Sequence, residues 1–317
     1  MGESVMDKTT QFFLRDVIGA YLTELGKRDR RVAMVTADLT GTCRTKDFVQ
    51  NFPDRSFNMG IAEQNMVSFS AGLAHEGFMP FAFTMAPFIA MRACEQCRTD
   101  VAYANLDVRL MATYAGYSGG ISGATHWALE DTAIMSTMGG MMVLEPSDPI
   151  QAKRMMDAML NYHGPIYMRS TVEPVYGIYD ESYQYEFGKA SVPVDGSDGA
   201  FVCSGVVVKY AIEAAGRIQS EYGKHIRVVD MHTLKPLDVE AVISAAQTGR
   251  IVTAQDHNII GGLGYAVASV LAENGCIAKF KMLGAPDVFI PMAHASYLYH
   301  KYGYDTDGLV STMMQMF

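Results

Sequence analysis

Residues 58–66 have the sequence N-M-G-I-A-E-Q-N-M and mark a change from strand to helix. Residues 57–60 predict the end of a strand, and apolar residues recur at helical spacing over residues 62–75. Glu63 then falls in the first turn of the predicted helix, where exposed backbone N–H groups and the helix dipole favour a carboxylate. Taken alone, the pattern favours an ordinary first-turn glutamate over a functional one.

The same alternation of strand and helix extends in both directions. Strands are predicted at residues 31–37, 81–84, 108–113, 141–144 and 166–169, and helices at residues 9–26, 62–75, 88–103, 128–138 and 149–160. Near-continuous apolar strands that alternate with helices predict an α/β fold with a mostly parallel sheet covered on both faces. Ligands of such sheets bind beyond the carboxyl ends of the strands. Asp38, Tyr114 and Arg169 stand at such ends, so we expect a site there.

The sequence divides into two α/β units with a polar connection between them. The first domain is predicted at residues 8–175 and the second at residues 199–317, with a linker at residues 176–198. The stretch around the linker is rich in Tyr, Asp, Ser, Pro and Gly and has little periodicity. In the second unit, strands are predicted at residues 201–208, 226–230, 251–254 and 278–283, and helices at residues 211–222, 239–246, 263–272 and 293–302. The predicted fold class is therefore α/β, with two domains and mostly parallel sheets.

Composition argues against several classes of protein. The 317 residues are 49% hydrophobic and 19% charged, which is typical of a globular chain. A net charge of -9 without a Lys/Arg-rich run argues against a nucleic acid or an acidic membrane as partner. No apolar stretch approaches the roughly 20 residues of a membrane-spanning helix, and no signal peptide is visible. Five scattered cysteines predict reduced thiols and a cytoplasmic location, with the C-x-x-C of Cys94 and Cys97 packing on a helix face.

Three motifs, taken together, resemble one enzyme family. They are G-I-A-E-Q at residues 60–64, G-A-T-H at residues 123–126 and T-A-Q-D-H-N-I-I-G-G-L-G at residues 253–264. In this order they resemble the C-terminal half of transketolases. Nearly the whole chain is similar to the smaller subunit of split transketolases, in which two chains form the enzyme. The resemblance implies a thiamine-diphosphate pyrimidine-binding domain followed by a transketolase C-terminal domain.

The diphosphate-binding motif of the family does not occur in this sequence. Family members hold the diphosphate and a divalent metal with a G-D-G sequence and a downstream Asn, whereas here Asp198 and Gly199 follow Ser197. Hard cations that bridge a diphosphate need such oxygen ligands. The resemblance therefore implies a partner, the N-terminal transketolase subunit, which binds the diphosphate through Mg²⁺ or Ca²⁺. It also implies an α2β2 heterotetramer, and no metal ligand is expected in this chain.

The resemblance assigns five side chains to the cofactor thiamine diphosphate. Glu63 matches the catalytic carboxyl that hydrogen-bonds the pyrimidine N1′ and so promotes loss of the C2 proton, which a buried carboxyl does well because it can donate and accept a proton. Phe88 matches the aromatic platform for the pyrimidine, although a core ring prefers the same apolar surroundings. Met85 and Met91 replace aromatic residues of the family. Asp38 matches an aspartate beside the cofactor, or caps the following turn.

The resemblance is less complete on the substrate side. His126 matches a histidine that reaches the substrate's hydroxyl end, and Arg169 an arginine that grips a phosphate tail; the alternatives are a structural histidine and an ion pair of little energetic worth. Tyr114 replaces a phosphate-contacting histidine, Ser122 an aspartate that contacts a sugar hydroxyl, and Thr42 a serine. Relative to the family, the substrate channel thus lacks one cation, the histidine, and one anion, the aspartate. These departures predict a sulfonate or an unphosphorylated substrate end in place of a phosphate monoester.

Together these features predict the C-terminal subunit of a thiamine-diphosphate-dependent transketolase of carbohydrate metabolism. It would transfer a two-carbon ketol unit from a ketose to an aldose, both sugar substrates. The alternatives are the β subunit of a 2-oxo-acid dehydrogenase E1 component, which has the same domain order, and a non-catalytic regulatory paralogue. The G-A-T-H segment favours transketolase over the first alternative. Retention of Glu63, Phe88 and His126 argues against the second.

Overall fold

The computed structural model describes residues 7–317. Its strands are β1 (Asp7–Phe12), β2 (Val32–Thr36), β3 (Ser56–Asn58), β4 (Met79–Met85), β5 (Arg109–Thr113), β6 (Met142–Leu144), β7 (Ile166–Ser170), β8 (Val175–Gly177), β9 (Ser191–Val194), β10 (Gly199–Cys203), β11 (Ile226–Asp230), β12 (Thr233–Lys235), β13 (Arg250–Asn258) and β14 (Lys279–Ala285). Its α-helices are α1 (Leu14–Arg28), α2 (Lys46–Asn51), α3 (Glu63–His75), α4 (Cys94–Gln96), α5 (Asp131–Ser136), α6 (Pro149–Met159), α7 (Val207–Tyr222), α8 (Val239–Ala246), α9 (Leu263–Glu273), α10 (Ala295–Lys301) and α11 (Thr306–Met314). Short 3₁₀ turns lie at Pro53–Arg55 and Gly120–Ser122, and π-helical segments at Phe88–Arg92 and Cys97–Ala102.

The first domain is built on a seven-stranded sheet with the order β12-β6-β7-β5-β4-β2-β3, in which every pair is parallel except β12 with β6. Helices α1, α2 and α6 pack on one face, and α3 with the helical stretch 88–102 covers the other. Because both faces are covered, β2, β5 and β7 are buried at every residue, which explains their near-continuous apolar sequences. The predicted α/β class with mostly parallel strands is confirmed.

The second domain has a five-stranded sheet with the order β14-β13-β10-β11-β9, parallel except for β9. Helices α7 and α11 pack on one face, and α8 and α9 on the other. The segment between α10 and the end of the chain contains α11, a helix that sequence periodicity did not indicate. Asp305 caps this helix, since its side chain accepts a hydrogen bond of 2.9 Å from the backbone N–H of Gly308.

One strand of the second domain belongs to the sheet of the first. The three-residue strand β12 pairs antiparallel with β6, and the backbone N–H of Glu145 donates to the carbonyl of His232 at 2.9 Å. The two domains also approach closely at Gly116, where a Cβ atom would collide with the Asp256 carboxylate and where φ is +64°. The C-terminal domain is therefore tied to the sheet that carries the predicted site.

The predicted linker at residues 176–198 contains ordered strands. It includes part of β8, which pairs antiparallel with β1, and all of β9, which forms the edge of the second sheet. Strands of three and four residues are too short to show a two-residue hydrophobic period, which explains why the sequence did not indicate them. The tyrosines of this connection pack inward, with the rings of Tyr179 and Tyr183 stacked at 4.1 Å.

Several predicted elements have other bounds in the structure, and two of them show why. The helix predicted at residues 9–26 is preceded by β1, begins at Leu14 and continues through Gly26 to Arg28. Gly26 does not end the helix; the rings of Phe48 and Phe52 approach it too closely for a side chain. The strand predicted at residues 201–208 ends at Cys203, since a turn with φ of +55° at Gly205 leads into α7.

The cysteines of the chain are free thiols. Cys97 is fully buried, and burial raises the pKa of its thiol, in agreement with a packing role for the C-x-x-C motif. Within residues 7–317, none of the helices has the length and apolar character needed to cross a membrane.

Candidate active site

The candidate site lies beyond the carboxyl ends of strands in the first sheet. Strand β3 leads to Glu63, β4 leads to Phe88, and β5 leads to Tyr114. Neighbouring parallel strands end at the same edge, so residues far apart in sequence meet there. This arrangement follows from the sheet order, which the sequence did not supply.

Glu63 is the first residue of α3 and its side chain is only 5% exposed. Its Oε1 atom accepts a hydrogen bond of 3.3 Å from Nη1 of Arg92, whose side chain is 51% exposed. Both residues line an open cleft of about 550 Å³, together with Ile61, Ala62, Gln64 and Asn65. A buried carboxylate thus faces a cleft large enough for a heterocyclic ring.

Arg92 also contacts the ring of Phe88, which in turn contacts the ring of His126. The guanidinium carbon of Arg92 is 3.8 Å from the centroid of the Phe88 ring, and the Phe88 and His126 rings meet edge to face with centroids 5.4 Å apart. Nδ1 of His126 forms a hydrogen bond of 2.8 Å with the Thr125 hydroxyl, which orients the imidazole. Arg92, to which sequence reasoning gave no role, thus links Glu63 to the rings of Phe88 and His126, and the predicted roles of these three residues stay predictions.

Asp38, Met85 and Met91 are the other residues predicted to contact the cofactor. Asp38 has a φ of +58°, and its carboxylate accepts a hydrogen bond of 2.9 Å from the side chain of Asn58. It does not cap α2, which begins eight residues later with Thr45 at its N-cap. Met85 is half-buried at the end of β4, and Met91 is 46% exposed. Contact of these three residues with a cofactor stays a prediction.

The substrate side contains an arginine that sequence reasoning missed. Nη1 of Arg15, in the first turn of α1, donates to the Tyr114 hydroxyl at 3.4 Å. Tyr114 has a φ of +62°, and one edge of its ring lies so close to Gly119 that a side chain there would collide with it. The Nε atom of Arg15 is buried and has no hydrogen-bond partner within the described part of the chain. A buried guanidinium N–H without an acceptor is suited to bind an anion.

Thr42 is half-buried in the turn that follows β2, and Ser122 is exposed in the 3₁₀ turn before His126. Trp127, next to His126, is buried and donates its indole N–H to the Gly120 carbonyl at 3.2 Å. This bond anchors the turn that carries Ser122. The roles of Thr42 and Ser122 in substrate binding stay predictions.

Arg169 does not reach the cleft. It is completely buried, with Nε 2.8 Å from Asp131 Oδ2 and Nη1 2.9 Å from Glu145 Oε1. Its Nη2 donates to the carbonyls of Ala128 and Asp256 at 3.1 and 3.0 Å. Burial by itself lowers the pKa of this guanidinium, but the two carboxylates raise it above its usual value. These contacts contradict the prediction that Arg169 grips a substrate tail, because no exposed donor is left for one.

Arg169 instead connects the two domains. Glu145 accepts hydrogen bonds from Ser204 at 2.7 Å and from Gln255 at 2.9 Å, both in the second domain. Asp256 accepts from the backbone N–H of Tyr117 at 3.0 Å and from the Tyr299 hydroxyl at 2.7 Å, and burial raises the pKa of its carboxyl to about 7. The motif at residues 253–264 therefore forms a domain contact in this structure.

The first domain presents a buried carboxylate, an aromatic face and a histidine at the edge of a parallel sheet. A carboxylate near an aromatic ring can bind a flat heterocycle with ring nitrogens, which is the kind of ligand that pyrimidine-binding enzyme components hold. Residues 11–175 match the family of the transketolase pyrimidine binding domain, and residues 188–309 match the transketolase C-terminal domain. The chain belongs to the transketolase family.

Its relatives include separately encoded subunits. The chain is 36% identical over 297 residues to a 6-deoxy-6-sulfo-D-fructose transketolase subunit, SqwH, of Clostridium sp. (strain MSTE9), covering 93% of this chain and 92% of that protein. It is 34% identical over 296 residues to a subunit of the apulose-4-phosphate transketolase of Phocaeicola vulgatus, covering 93% and 94%. A solved structure described as a split gene transketolase, inactive beta4 tetramer, has a TM-score of 0.87 at 37% identity and covers 97% of this chain and 98% of its own. The predicted resemblance to the C-terminal subunit of a two-chain transketolase, a transferase, is confirmed.

Proposed function

We propose that this chain supplies the pyrimidine side of a two-chain transketolase and transfers a two-carbon ketol unit together with a diphosphate-binding N-terminal subunit. The observation that supports this most is the cluster in which Arg92 links Glu63 to the rings of Phe88 and His126, with Glu63 and Arg92 lining one cleft. Family membership implies dependence on thiamine diphosphate, which when bound supplies the carbon nucleophile of ketol transfer. The same cluster argues against a non-catalytic regulatory role.

The residues present suit the pyrimidine end of this cofactor. Glu63 would hold a ring nitrogen and exchange a proton with it, because a nearly buried carboxyl can both accept and donate one. Phe88 would carry the ring on its face, and His126 would reach the hydroxyl end of the substrate. The diphosphate and its Mg²⁺ or Ca²⁺ ion are assigned to the partner subunit, because the sequence has no G-D-G motif.

A titration of the chain by itself tests this division of the site. Calorimetry with thiamine diphosphate and Mg²⁺ should detect no micromolar binding to the purified chain and clear binding once the N-terminal subunit is added. Ketol transfer should appear only in the mixture. Micromolar binding or turnover by the isolated chain would contradict the proposal.

We also propose that the partner docks around the cleft, in an α2β2 assembly in the cytoplasm. Ile61 is 78% exposed and Met91 46%, close in sequence to Glu63 and Phe88, and Tyr103 is 91% exposed after the far end of the helical stretch 88–102, so apolar side chains are exposed along this surface in the free chain. An obligate interface of this kind buries roughly 2,000 Å² or more. One similar structure is described as an inactive beta4 tetramer of a split gene transketolase, so a chain of this kind can associate with copies of itself. Sedimentation of the chain with and without partner is the test, and a stable monomer at micromolar concentration in both samples would contradict it.

The proposed substrate carries a terminal anion that binds beside Tyr114. Arg15 replaces Arg169 as the candidate for this contact, since its Nε is buried without an acceptor among the described residues and its Nη1 meets the Tyr114 hydroxyl. A neutral tyrosine cannot add the second positive charge that a phosphate monoester of about -1.5 to -2 charge favours. A singly charged sulfonate suits one guanidinium better, and one of the relatives is named for a sulfo-sugar.

A sugar phosphate is the second candidate, because another relative of similar identity is named for one. In that case the partner subunit would contribute a further cation. The reconstituted enzyme distinguishes the two when kcat/KM is compared for a sugar phosphate, its sulfonate analogue and the unsubstituted sugar. A preference of tenfold or more for the phosphate, about 1.4 kcal/mol in transition-state binding, would reject the sulfonate proposal.

A further inference from the structure

We propose that Arg92 is a placeholder for the aminopyrimidine ring and must leave the cleft before the cofactor enters. In the free chain its guanidinium makes the two contacts that the cofactor needs, one to the face of Phe88 and one to the carboxylate of Glu63. The inference rests on the proposed function and adds an exchange step to it. It makes cofactor affinity depend on a residue that does no chemistry.

The geometry carries this inference. The Cζ atom of Arg92 lies 3.8 Å from the centroid of the Phe88 ring, which is the separation of two stacked planar groups, while Nη1 is 3.3 Å from Glu63 Oε1. A guanidinium and an aminopyrimidine are both flat, delocalised and rich in N–H donors. A ring that stacks on this face of Phe88 and bonds to this oxygen of Glu63 would overlap the guanidinium.

The sequence places Arg92 there through an unusual helical turn. Phe88–Arg92 is a π-helical segment, and the backbone N–H of Ala93 bonds to the Phe88 carbonyl at 3.3 Å across five residues. Such widened turns are rare and occur often at functional sites. Here the turn directs a residue four positions after Phe88 back over the Phe88 ring, at the mouth of the cleft.

Arg92 is held weakly enough to exchange. Its side chain is 51% exposed, and within residues 7–317 its one hydrogen bond is the contact of 3.3 Å with Glu63. A cation–π contact and an ion pair whose cation is half-exposed together correspond to roughly threefold to thirtyfold in an equilibrium constant. The side chain can swing into solvent when the cofactor displaces it.

The exchange also explains how Glu63 is tolerated in the free chain. A carboxylate removed from water is costly unless a donor or counter-charge compensates it. Arg92 provides both while the subunit is alone, and the cofactor's ring nitrogen takes over after assembly. Apparent cofactor affinity is then reduced by the fraction of molecules in which Arg92 occupies the cleft.

The test uses the reconstituted enzyme of this chain and its N-terminal subunit. Calorimetry gives the dissociation constant of thiamine diphosphate at fixed Mg²⁺ for the natural protein, Arg92→Ala and Arg92→Lys. Stopped flow gives the association rates of the same three proteins. Arg98→Ala is the matched control, because Arg98 is an exposed arginine in the same helical stretch, and none of its side-chain contacts reaches Glu63 or Phe88.

Arg92→Ala should bind the cofactor roughly threefold to thirtyfold more tightly and faster, with Arg98→Ala unchanged. Arg92→Lys keeps the charge but loses the planar stack, so its affinity for the cofactor should lie between those of the natural protein and Arg92→Ala. It also provides a second variant in case Arg92→Ala folds poorly. Equal or weaker binding by Arg92→Ala would overturn the placeholder and show that Arg92 stays beside the bound ring. Absence of binding by the natural reconstituted pair would instead overturn the proposed function itself.

Discussion

Two arginines near the same edge of the first sheet behave in opposite ways. Arg92 is half-exposed and makes a single hydrogen bond to one carboxylate, whereas Arg169 is fully buried and makes four hydrogen bonds, two of them to carboxylates. Sequence reasoning assigned a substrate role to Arg169 and none to Arg92. The difference shows that an arginine is available to a ligand only if the fold leaves its donors unsatisfied.

The same contrast separates two carboxylates. Glu63 faces an open cleft with one exchangeable partner, and Asp256 is enclosed by Tyr299, Tyr304 and the backbone of Tyr117. Substitution of a residue in the site should lower activity, and substitution of a buried residue of the domain contact should lower stability. Four substitutions test this separation.

The largest effect is expected for Glu63→Gln in the reconstituted enzyme. An amide cannot exchange a proton with the cofactor ring, and loss of a positioned acid or base costs roughly 10²–10⁴-fold in rate. Steady-state kcat is the measurement, with Glu76→Gln, an exposed glutamate at the other end of α3, as control. Activity within tenfold of the natural enzyme would remove Glu63 from the mechanism.

Arg169→Met should act on stability. Removal of one partner leaves Asp131 and Glu145 buried without their counter-charge, which typically costs about 3–5 kcal/mol. Urea unfolding of the isolated chain measures it. Arg154→Met is the control, because the ion pair of Arg154 with Glu181 is largely exposed and is worth about 0–1 kcal/mol. Equal stability losses in the two variants would contradict the distinction between buried and exposed arginines.

Arg15→Gln should act on substrate binding and leave the fold stable. Hydrogen bonds to charged groups contribute about 1.5–3 kcal/mol, so kcat/KM for an anionic substrate should fall roughly tenfold to a hundredfold, and much less for a neutral sugar. Arg28→Gln, at the other end of α1, serves as control since its ion pair is with Asp157. An equal loss for charged and neutral substrates would show that Arg15 does not bind the tail.

Much of this organisation could be predicted from the sequence. Buried strands such as β2 and β5 have continuous apolar runs, which indicated both α/β units and the edge of the sheet where the strands end. Local patterns of this kind depend on neighbours in the chain. The roles predicted for Glu63, Phe88 and His126 came instead from the resemblance to transketolases.

The features that sequence reasoning missed or assigned wrongly depend on contacts between distant residues. The pairing of β12 with β6 joins segments about 90 residues apart, and such a short strand has no recognisable period. Arg15 could have been suspected, since a cation in the first turn of a helix opposes the helix dipole. The burial of Arg169 could not be inferred, because Glu145 and Asp131 become its partners only in the folded sheet.

The smallest expected effect concerns Asp256 and is a dependence on pH. Burial raises the pKa of its carboxyl from 3.8 to about 7, so the folded chain keeps a proton that the unfolded chain releases. The stability contributed by this proton is fully present below pH 3.8, is lost as the pH rises towards 7, and changes no further above it. Asp256→Asn serves as the reference, because the side chain of asparagine does not titrate.

The free energy of unfolding of the natural chain, minus that of Asp256→Asn, should therefore fall as the pH rises from 5 to 7, by at most ~1.4 kcal/mol per pH unit. Burial lowers the pKa of His257 to about 4, which gives a slope of opposite sign, but both proteins share that slope and it cancels in the difference. Urea unfolding at pH 5, 6, 7 and 8 provides the comparison. A difference that stays constant or rises over this range would mean that Asp256 is ionised throughout, with Tyr299 and Tyr304 donating to a carboxylate.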